Sequence, residues 1–417
     1  MTRRLTLIIA TATLAAATLA ATTLTAVSAN AQESLLPRTG WGVAVGLSAW
    51  HFTTAIPQAS GAVADIAEVA IPFRVRAVRG RWNFDLSGAG AFGAVHLSPN
   101  TGDGAAQGED DTGDRVVTIA GPTDVKLRLT GPVVGDNTLV TVGFNLPTGK
   151  VGLNADETAA LQAIGAPAMR MPVGAFGAGA GATLGVIHVV QGEAWALAFG
   201  ASAEQRTEFS PIAIALAAGK AETQVKPGTA AHVTVGYDRP LGEGRWSLLF
   251  VGDLYSRDQL TASGGGQAEV TGAYTLGPQY TVSSVMQFAA SRWREAAFSA
   301  AARLRSEFSD ATGAKVSGSS GTYLEASLGG VRGGSSGAGF IVGADARWQS
   351  GLTFTDALVG AASTAAGVTL GIERAGSATL TRWTLHGQYG TFDTGRASTT
   401  GMGVTLGLSI AARREVQ

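Results

Sequence analysis

The sequence predicts an all-β fold, a single transmembrane antiparallel β-barrel of about 16 strands, within a range of about 12–18. Charged residues make up only 15% of the chain and hydrophobic residues 45%, whereas ordinary soluble domains carry roughly 25% charge. Beyond the first thirty residues or so, no apolar stretch reaches the roughly 20 residues of a membrane helix. A closed barrel is the other structure that satisfies every backbone group in hydrocarbon.

The N-terminal residues 1–31 predict a cleaved signal peptide. Arg3 and Arg4 precede an apolar segment, and Ala29-Asn30-Ala31 matches the small-x-small cleavage pattern. The alternative, an uncleaved membrane anchor, is disfavoured by this triplet. Residues 32–417 then form one barrel, since no linker divides them, and the signal predicts export to the bacterial outer membrane.

Alternation of apolar and polar residues with a period of two predicts the strands. Trp41, Val43, Val45 and Leu47 would share one face of the first strand. Similar segments recur along the whole chain, at 41–52, 65–78, 82–97, 116–131, 138–147, 171–190, 194–209, 228–239, 245–260, 268–289, 295–308, 322–332, 337–348, 366–375, 378–389 and 401–412.

The connections between these segments alternate in length. Tight turns are predicted near 79–81, 191–193, 241–244, 333–336 and 375–376. Longer polar stretches fall between them, at 98–115, 148–170, 210–227, 309–321, 349–365 and 390–400. Short periplasmic turns and long outer loops are typical of outer-membrane barrels whose termini both face the periplasm.

Tryptophans cluster near the segment ends, which is typical of an aromatic belt in the headgroup zone. The predicted periplasmic belt contains Trp41, Trp82, Trp195, Trp246 and Trp383, together with Trp293. Trp50 and Trp348 would lie at the outer interface. The alternative is that these residues are core aromatics of a soluble β-domain.

Charged residues at inward-facing positions are the candidate pore lining. They are Arg74, Arg76, Asp85, Asp124, Lys126, Arg128, Asp238, Asp253, Arg257, Arg303, Arg305, Glu325, Asp345, Arg347 and Arg382. Because both signs are present, strong ion selectivity is not expected. An ion-paired lining, with Arg74 or Arg76 bound to Asp85, is favoured over a defined ligand site.

Other chemistry is disfavoured by composition. The chain has no cysteine, and its five histidines (His51, His96, His188, His232 and His386) lack a second ligand at metal spacing, so no metal or cofactor is predicted. No nucleophile motif marks an enzyme, and the net charge of -1 gives no field for nucleic acid. The acidic stretch 103–114 is interpreted as a solvated loop, with a divalent-cation site as the alternative.

The segment 148–170 predicts a constriction loop. Asn154 or Asp156 can cap a short helix through Ile164, and glycines 177, 179, 181 and 185 would leave room inside the wall. A helix capping the outer rim is an equal alternative. We predict that 151–170 folds inward with Asp156 and Glu157 facing the water path, and that deleting 153–166 raises conductance.

Two short motifs suggest a family. Asp124-Val-Lys-Leu-Arg-Leu and Phe144-Asn-Leu-Pro-Thr-Gly-Lys150 resemble the outer-membrane proteins of the meta-pathway of phenol degradation (MetA-type) over about residues 120–190. The resemblance implies a channel for aromatic or other hydrophobic small molecules. The chain departs from the usual aromatic last residue of barrels, since Arg413–Gln417 follow the last strand. A diffusion channel is predicted, with a plugged structural or surface-interaction barrel as the alternative. The expected partners are outer-membrane lipid and small solutes, and a homo-oligomer is left open.

Overall fold

The computed structural model describes residues 40–56, 61–99, 113–216, 219–264, 267–290, 293–333, 337–351, 362–393 and 398–412. The predicted signal peptide, most of the acidic stretch 103–114 and the tail Arg413–Gln417 lie outside the described residues. Among the described residues no helix is long and apolar enough to cross a membrane.

Strands dominate the described chain. In chain order they are β1 (Gly40–Ile56), β2 (Ala62–Arg79), β3 (Trp82–Ser98), β4 (Arg115–Pro122), β5 (Val125–Val134), β6 (Thr138–Leu146), β7 (Gly181–Gln191), β8 (Ala196–Arg206), β9 (Phe209–Leu216), β10 (Gly219–Lys226), β11 (Ala230–Leu241), β12 (Gly244–Tyr255), β13 (Arg257–Gly264), β14 (Gln267–Thr275), β15 (Gln279–Ala290), β16 (Trp293–Arg305), β17 (Gly321–Arg332), β18 (Ala338–Ser350), β19 (Ala362–Ala375), β20 (Thr379–Asp393) and β21 (Ser398–Ala412). One α-helix, α1 (Ala155–Ile164), and a 3₁₀ turn at Pro167–Met169 interrupt them.

The wall is a closed antiparallel barrel of 16 strands, as the sequence predicts. The wall strands pair in sequence order, with β8 on β11 and β12 on β15. Strand β21 pairs with β1 from Gly42↔Ala411 to Phe52↔Gly401, which closes the ring. The strands β4 and β5 share one wall position, because both pair with β3 on either side of a break at Thr123 and Asp124. Each of the predicted segments overlaps one wall position.

A second sheet departs from the prediction. The stretch 210–227, expected to be a loop, carries β9 and β10, which join β13 and β14 in a 4-stranded sheet of order β14-β13-β10-β9. Strands β9 and β10 extend the connection between β8 and β11, and β13 and β14 extend the connection between β12 and β15. Cross-strand pairing can continue there because it does not depend on the membrane. The segment 171–190 begins as a strand only at Gly181, because 171–180 belong to a loop.

Strand register divides the side chains into two faces. Large apolar side chains on the outward face are exposed in the isolated chain, and a bilayer would cover them. Examples from around the ring are Val75, Phe84, Leu127, Phe144, Leu184, Phe199, Val233, Phe250, Val282, Phe298, Leu324, Phe340, Leu370, Leu385 and Val404. This alternation is the lipid-facing pattern of a transmembrane barrel.

Most tryptophans of the predicted belt point outward from the barrel, and their position in the headgroup zone stays a prediction. Trp41, Trp82, Trp195 and Trp383 project outward near the short turns and are 36% to 44% exposed, and Trp246 lies on the same face. Trp348 projects outward near the opposite end. The prediction for Trp50 is wrong: its ring is 1% exposed inside the barrel. Trp50 is an odd number of residues from Trp41 on β1. Successive side chains of a strand point to opposite faces, so Trp50 points into the lumen.

Candidate functional site: the pore and its inward loop

The loop between β6 and β7, residues 147–180 (the inward loop), is fastened at both ends by Asp124. Asp124 Oδ1 accepts a hydrogen bond from the Gly149 amide at 2.8 Å, and Oδ2 accepts one from the Ala178 amide at 2.7 Å. Asn145 donates to the same carboxylate at 2.8 Å. The carboxylate is only 5% exposed, so this predicted pore-lining residue is a structural anchor.

The L-P-T-G motif supplies the other half of this anchor. A Cβ at Gly149 would lie 2.5 Å from Phe176 O and 2.6 Å from Asp124 Oδ1, so only glycine fits. The Thr148 hydroxyl donates to Thr123 O at 3.1 Å and accepts from the Val125 amide at 2.9 Å. The two motifs therefore meet where the wall strand is interrupted at Thr123, and the inward loop begins beside this interruption.

Helix α1 forms where the sequence predicts it. The Asn154 side chain accepts from the Glu157 amide at 2.9 Å, and the Glu157 carboxylate accepts from the Asn154 amide at 3.2 Å, which is a capping box. Small and apolar residues of the helix, Ala159, Ala160, Ala163 and Ile164, are buried.

The helix lies against the inner face of the wall, which answers the question that the sequence left open. A Cβ on Gly93 of β3 would overlap the end of the Ile164 side chain. Gly93 pairs with Glu68 and Ile119, both of which are buried on the same face. Helix α1 therefore occupies the lumen beside β2, β3 and β4, and does not cap the rim.

The structure places the two predicted constriction carboxylates, Asp156 and Glu157, differently. Asp156 binds Arg115 of the wall at 2.8 Å while its side chain stays 55% exposed. Glu157 binds Lys150 of the same loop and is only 17% exposed. Both carboxylates stabilise the N-terminus of α1. Glu157 is thus largely withdrawn from the water path, while Asp156 remains at its edge.

The second half of the loop is also bound to the wall. The Trp50 indole donates to Met169 O at 2.9 Å, and the Glu68 carboxylate accepts from the Val173 amide at 3.0 Å. Met169, Val173 and Phe176 join Trp50 in one buried apolar cluster. The loop is therefore packed in place by a core of its own inside the barrel.

At its tip the loop reaches the wall at β17 and β18. Arg170, at a positive φ of 49°, approaches Glu325 at 3.2 Å and Asp345 at 3.8 Å. Arg347 donates to Ala168 O at 2.9 Å and to Gln388 at 2.8 Å. Sequence reasoning identified Asp345 and Arg347 but missed Arg170, because nothing in a loop sequence marks the wall residues it will meet.

Ion pairs line the lumen at the end with the short turns, where the sequence predicts the periplasm. Arg74 donates to Asp85 at 2.8 Å, and Arg76 lies 3.9 Å from the same carboxylate, so the predicted pairing across the β2–β3 hairpin is confirmed. Arg382 binds Glu373 and lies 3.2 Å from Glu295. These charges neutralise one another and brace neighbouring strands.

The inward face of β7, β8, β11, β12, β15 and β16 (the open arc) lies away from these loop contacts. A chain of hydrogen bonds runs along it: His232 to Asp253 at 2.7 Å, Gln279 to Asp253 at 3.1 Å, and Arg305 to Gln279 at 2.9 Å. At the end of this arc, Arg303 lies 5.7 Å from the Tyr323 ring centroid.

Three further predicted lining residues lie on β5 and β13. Lys126 and Arg128 are exposed at inward positions of β5. Arg257 differs from the prediction, because it begins β13 of the second sheet and donates to Ala311 O at 2.6 Å. It follows the end of the wall strand at Tyr255 and so lies beyond the barrel lining. Among the described residues, no His, Asp and Glu cluster is arranged to hold a metal ion.

Comparison with known proteins gives fold-level likeness only. No family model matches the sequence, and no curated protein matches it. Among solved structures, a loop-deletion mutant of OmpT from Vibrio cholerae covers 89% of this chain and 97% of its own at 13% identity, with a TM-score of 0.36. OccK9 (OpdG) of Pseudomonas aeruginosa covers 89% and 98% at 10% identity, with a TM-score of 0.40. The closed ring of strand pairs, rather than this likeness, establishes the barrel. Membership of the MetA-type family stays a prediction.

Proposed function

We propose that this chain is a diffusion channel for small solutes in the bacterial outer membrane, with the inward loop narrowing its lumen. The outward apolar face and the ring closure support a membrane-spanning barrel. The channel is supported by a difference in side-chain burial between the side of the lumen that the inward loop covers and the open arc.

The observation that carries the proposal is this contrast in burial. Inward side chains beneath the loop are buried, and Ser48, Trp50 and Val95 are 3%, 1% and 0% exposed. Inward side chains of the open arc are half-exposed along their strands, including Thr183, Ser202, Thr234, Thr281 and Ser283. A barrel of this strand number holds water unless something fills it, and the loop covers only one side.

The lining of the open arc combines polar and apolar side chains, and we propose small polar solutes because of its hydroxyl groups. Hydroxyl and glycine positions such as Thr183, Gly185 and Ser202 share its middle with Leu249 and Val251, while charges of both signs lie towards its two ends. The hydrophobic or aromatic solutes implied by the family resemblance are the alternative, and Arg303 above Tyr323 is where an aromatic acid could bind. The inward His232 is bonded to Asp253 in the network that links the strands of the open arc, and we assign it no catalytic role.

Single-channel recording in planar bilayers tests the proposal. We expect discrete open steps and a cation-to-anion permeability ratio of roughly one, because the lining is mixed in charge. A folded barrel that stays silent would contradict the channel and favour a plugged, structural or surface-interaction barrel.

The same recordings test the loop. A variant lacking residues 153–166 should conduct more than the parent, since α1 occupies part of the lumen. Its folding is checked by heat-modifiable gel migration. Equal conductance in a folded deletion variant would show that the loop does not limit the water path, even if the barrel is a channel.

A further inference from the structure

The outward face carries a groove at the periplasmic end of β17, β18, β19 and β20 (the periplasmic groove). It has a volume of about 710 Å³, and its lining includes Arg332, Phe340, Ile372, Arg374 and Trp383. The short turns after Arg332 and Ala375 place it at the end where we predict the periplasm. It lies on the opposite side of the wall from the lumen.

Register shows how the groove is built. Arg332, Phe340, Ile372 and Trp383 pair in one row across the strands. Phe340, Ile372 and Trp383 are 48%, 53% and 40% exposed, as expected of membrane-facing side chains. The row therefore offers an apolar surface ending in an arginine.

The second arginine, Arg374, lies two residues beyond Ile372 on β19, nearer the predicted periplasmic end. Arg374 is exposed and pairs with Ala338, whose small side chain leaves the floor open between the two guanidinium groups. The neighbouring Glu373 does not cancel this charge, since it is 2% exposed on the lumen side and bound to Arg382. The groove thus combines two cations with an apolar wall.

Other outward positions near the periplasm have the same sign. Arg79 and Arg239 project outward from β2 and β11, and none of the described outward residues on the periplasmic halves of the wall strands is acidic. Arginine binds phosphate with paired donors. Arg332 and Arg374, in addition, flank a cavity that could also hold a hydrocarbon chain.

We propose that the periplasmic groove binds an anionic phospholipid of the periplasmic leaflet. The phosphate would lie between Arg332 and Arg374, and an acyl chain would follow Phe340 and Ile372 towards the bilayer centre. Trp383 would contact the glycerol region, where an indole ring is stable. This site is independent of conduction through the lumen.

Native mass spectrometry of the detergent-purified barrel tests the site. Equal amounts of phosphatidylglycerol and phosphatidylcholine are added, and lipid adducts are counted. We expect the parent to retain phosphatidylglycerol preferentially. In the double variant Arg332→Gln/Arg374→Gln, the preference for phosphatidylglycerol should fall about fivefold for each arginine removed, because both cations lie near the headgroups.

Two further variants make the result specific. Arg239→Gln removes an outward periplasmic arginine away from the groove and should leave the preference unchanged. Ala338→Trp fills the groove while keeping both charges and should lower phosphatidylglycerol retention. An unchanged preference in the double variant or in Ala338→Trp would overturn the proposal, as would an equal loss in Arg239→Gln. Heat-modifiable migration confirms that each variant is folded.

Discussion

At the scale of single residues, Asp124 shows how one side chain can define an internal loop. Its carboxylate accepts from the amides of Gly149 and Ala178, so it holds the beginning and the end of the inward loop together. Charged acceptors with several N–H donors form strong hydrogen bonds. The motif that suggested a family thus has a structural role in this chain.

Replacing this carboxylate should release the loop. In Asp124→Ala, losing hydrogen bonds to a charged group should weaken loop docking by about 1.5–3 kcal/mol. Limited proteolysis of the folded barrel should then cut within 147–180, and channel recordings should become noisier. Asp238→Ala is the matched control, because Asp238 is an inward carboxylate bound to Arg245 and Ser247, away from the loop. Identical cleavage of the two variants would refute the anchoring role.

At the scale of elements, the fit between α1 and the wall depends on a missing side chain. Gly93 has no Cβ, and Ile164 occupies the space. The sequence predicted the helix from its capping residues, which act locally. It could not predict which wall strand the helix would meet, since that contact joins residues far apart in the chain.

A compensating pair of substitutions tests this contact. Gly93→Ala should destabilise helix docking by about 1–3 kcal/mol through overpacking. Adding Ile164→Val removes the overlapping methyl group and should recover part of the loss. Gly90→Ala on the same strand is the control, because nothing lies within 4 Å of its Cβ position. Unfolding in denaturant is measured for the parent, the single variants Gly93→Ala and Ile164→Val, their double variant and Gly90→Ala. Strictly additive effects of the two substitutions would argue against the contact.

At the scale of the whole molecule, the barrel follows from binary alternation. Each wall strand places apolar side chains on one face, and β1 with β21 closes the ring. Closure leaves no unpaired strand edge among the described residues of the wall, which is what a bilayer requires. Alternation along each strand then decides which side chains face the lipid. Two adjacent residues of one strand can therefore be compared, one facing lipid and one facing the lumen.

Adjacent residues of β15 provide that comparison. Val282 projects outward and is 43% exposed, while Ser283 projects into the lumen opposite Leu249. Val282→Arg should cost about 2–4 kcal/mol of stability in lipid, the range for arginine on the lipid face near the midplane. Ser283→Arg should cost far less because its side chain stays in water. Unfolding in lipid vesicles measures both, and equal losses would contradict the assigned faces.

The sequence by itself determined the barrel, the approximate number of its strands, the inward face of most of its predicted lining charges and the capped helix of the inward loop. These features depend on local alternation, turn residues and capping, all of which act over a few neighbouring positions. Only the tertiary structure decided that Trp50 packs beneath the loop, that Asp124 anchors it and that Arg170 meets Glu325. It also decided that β9, β10, β13 and β14 form a second sheet. Each of these depends on which distant segments lie side by side after closure, and residue spacing along the chain does not encode that.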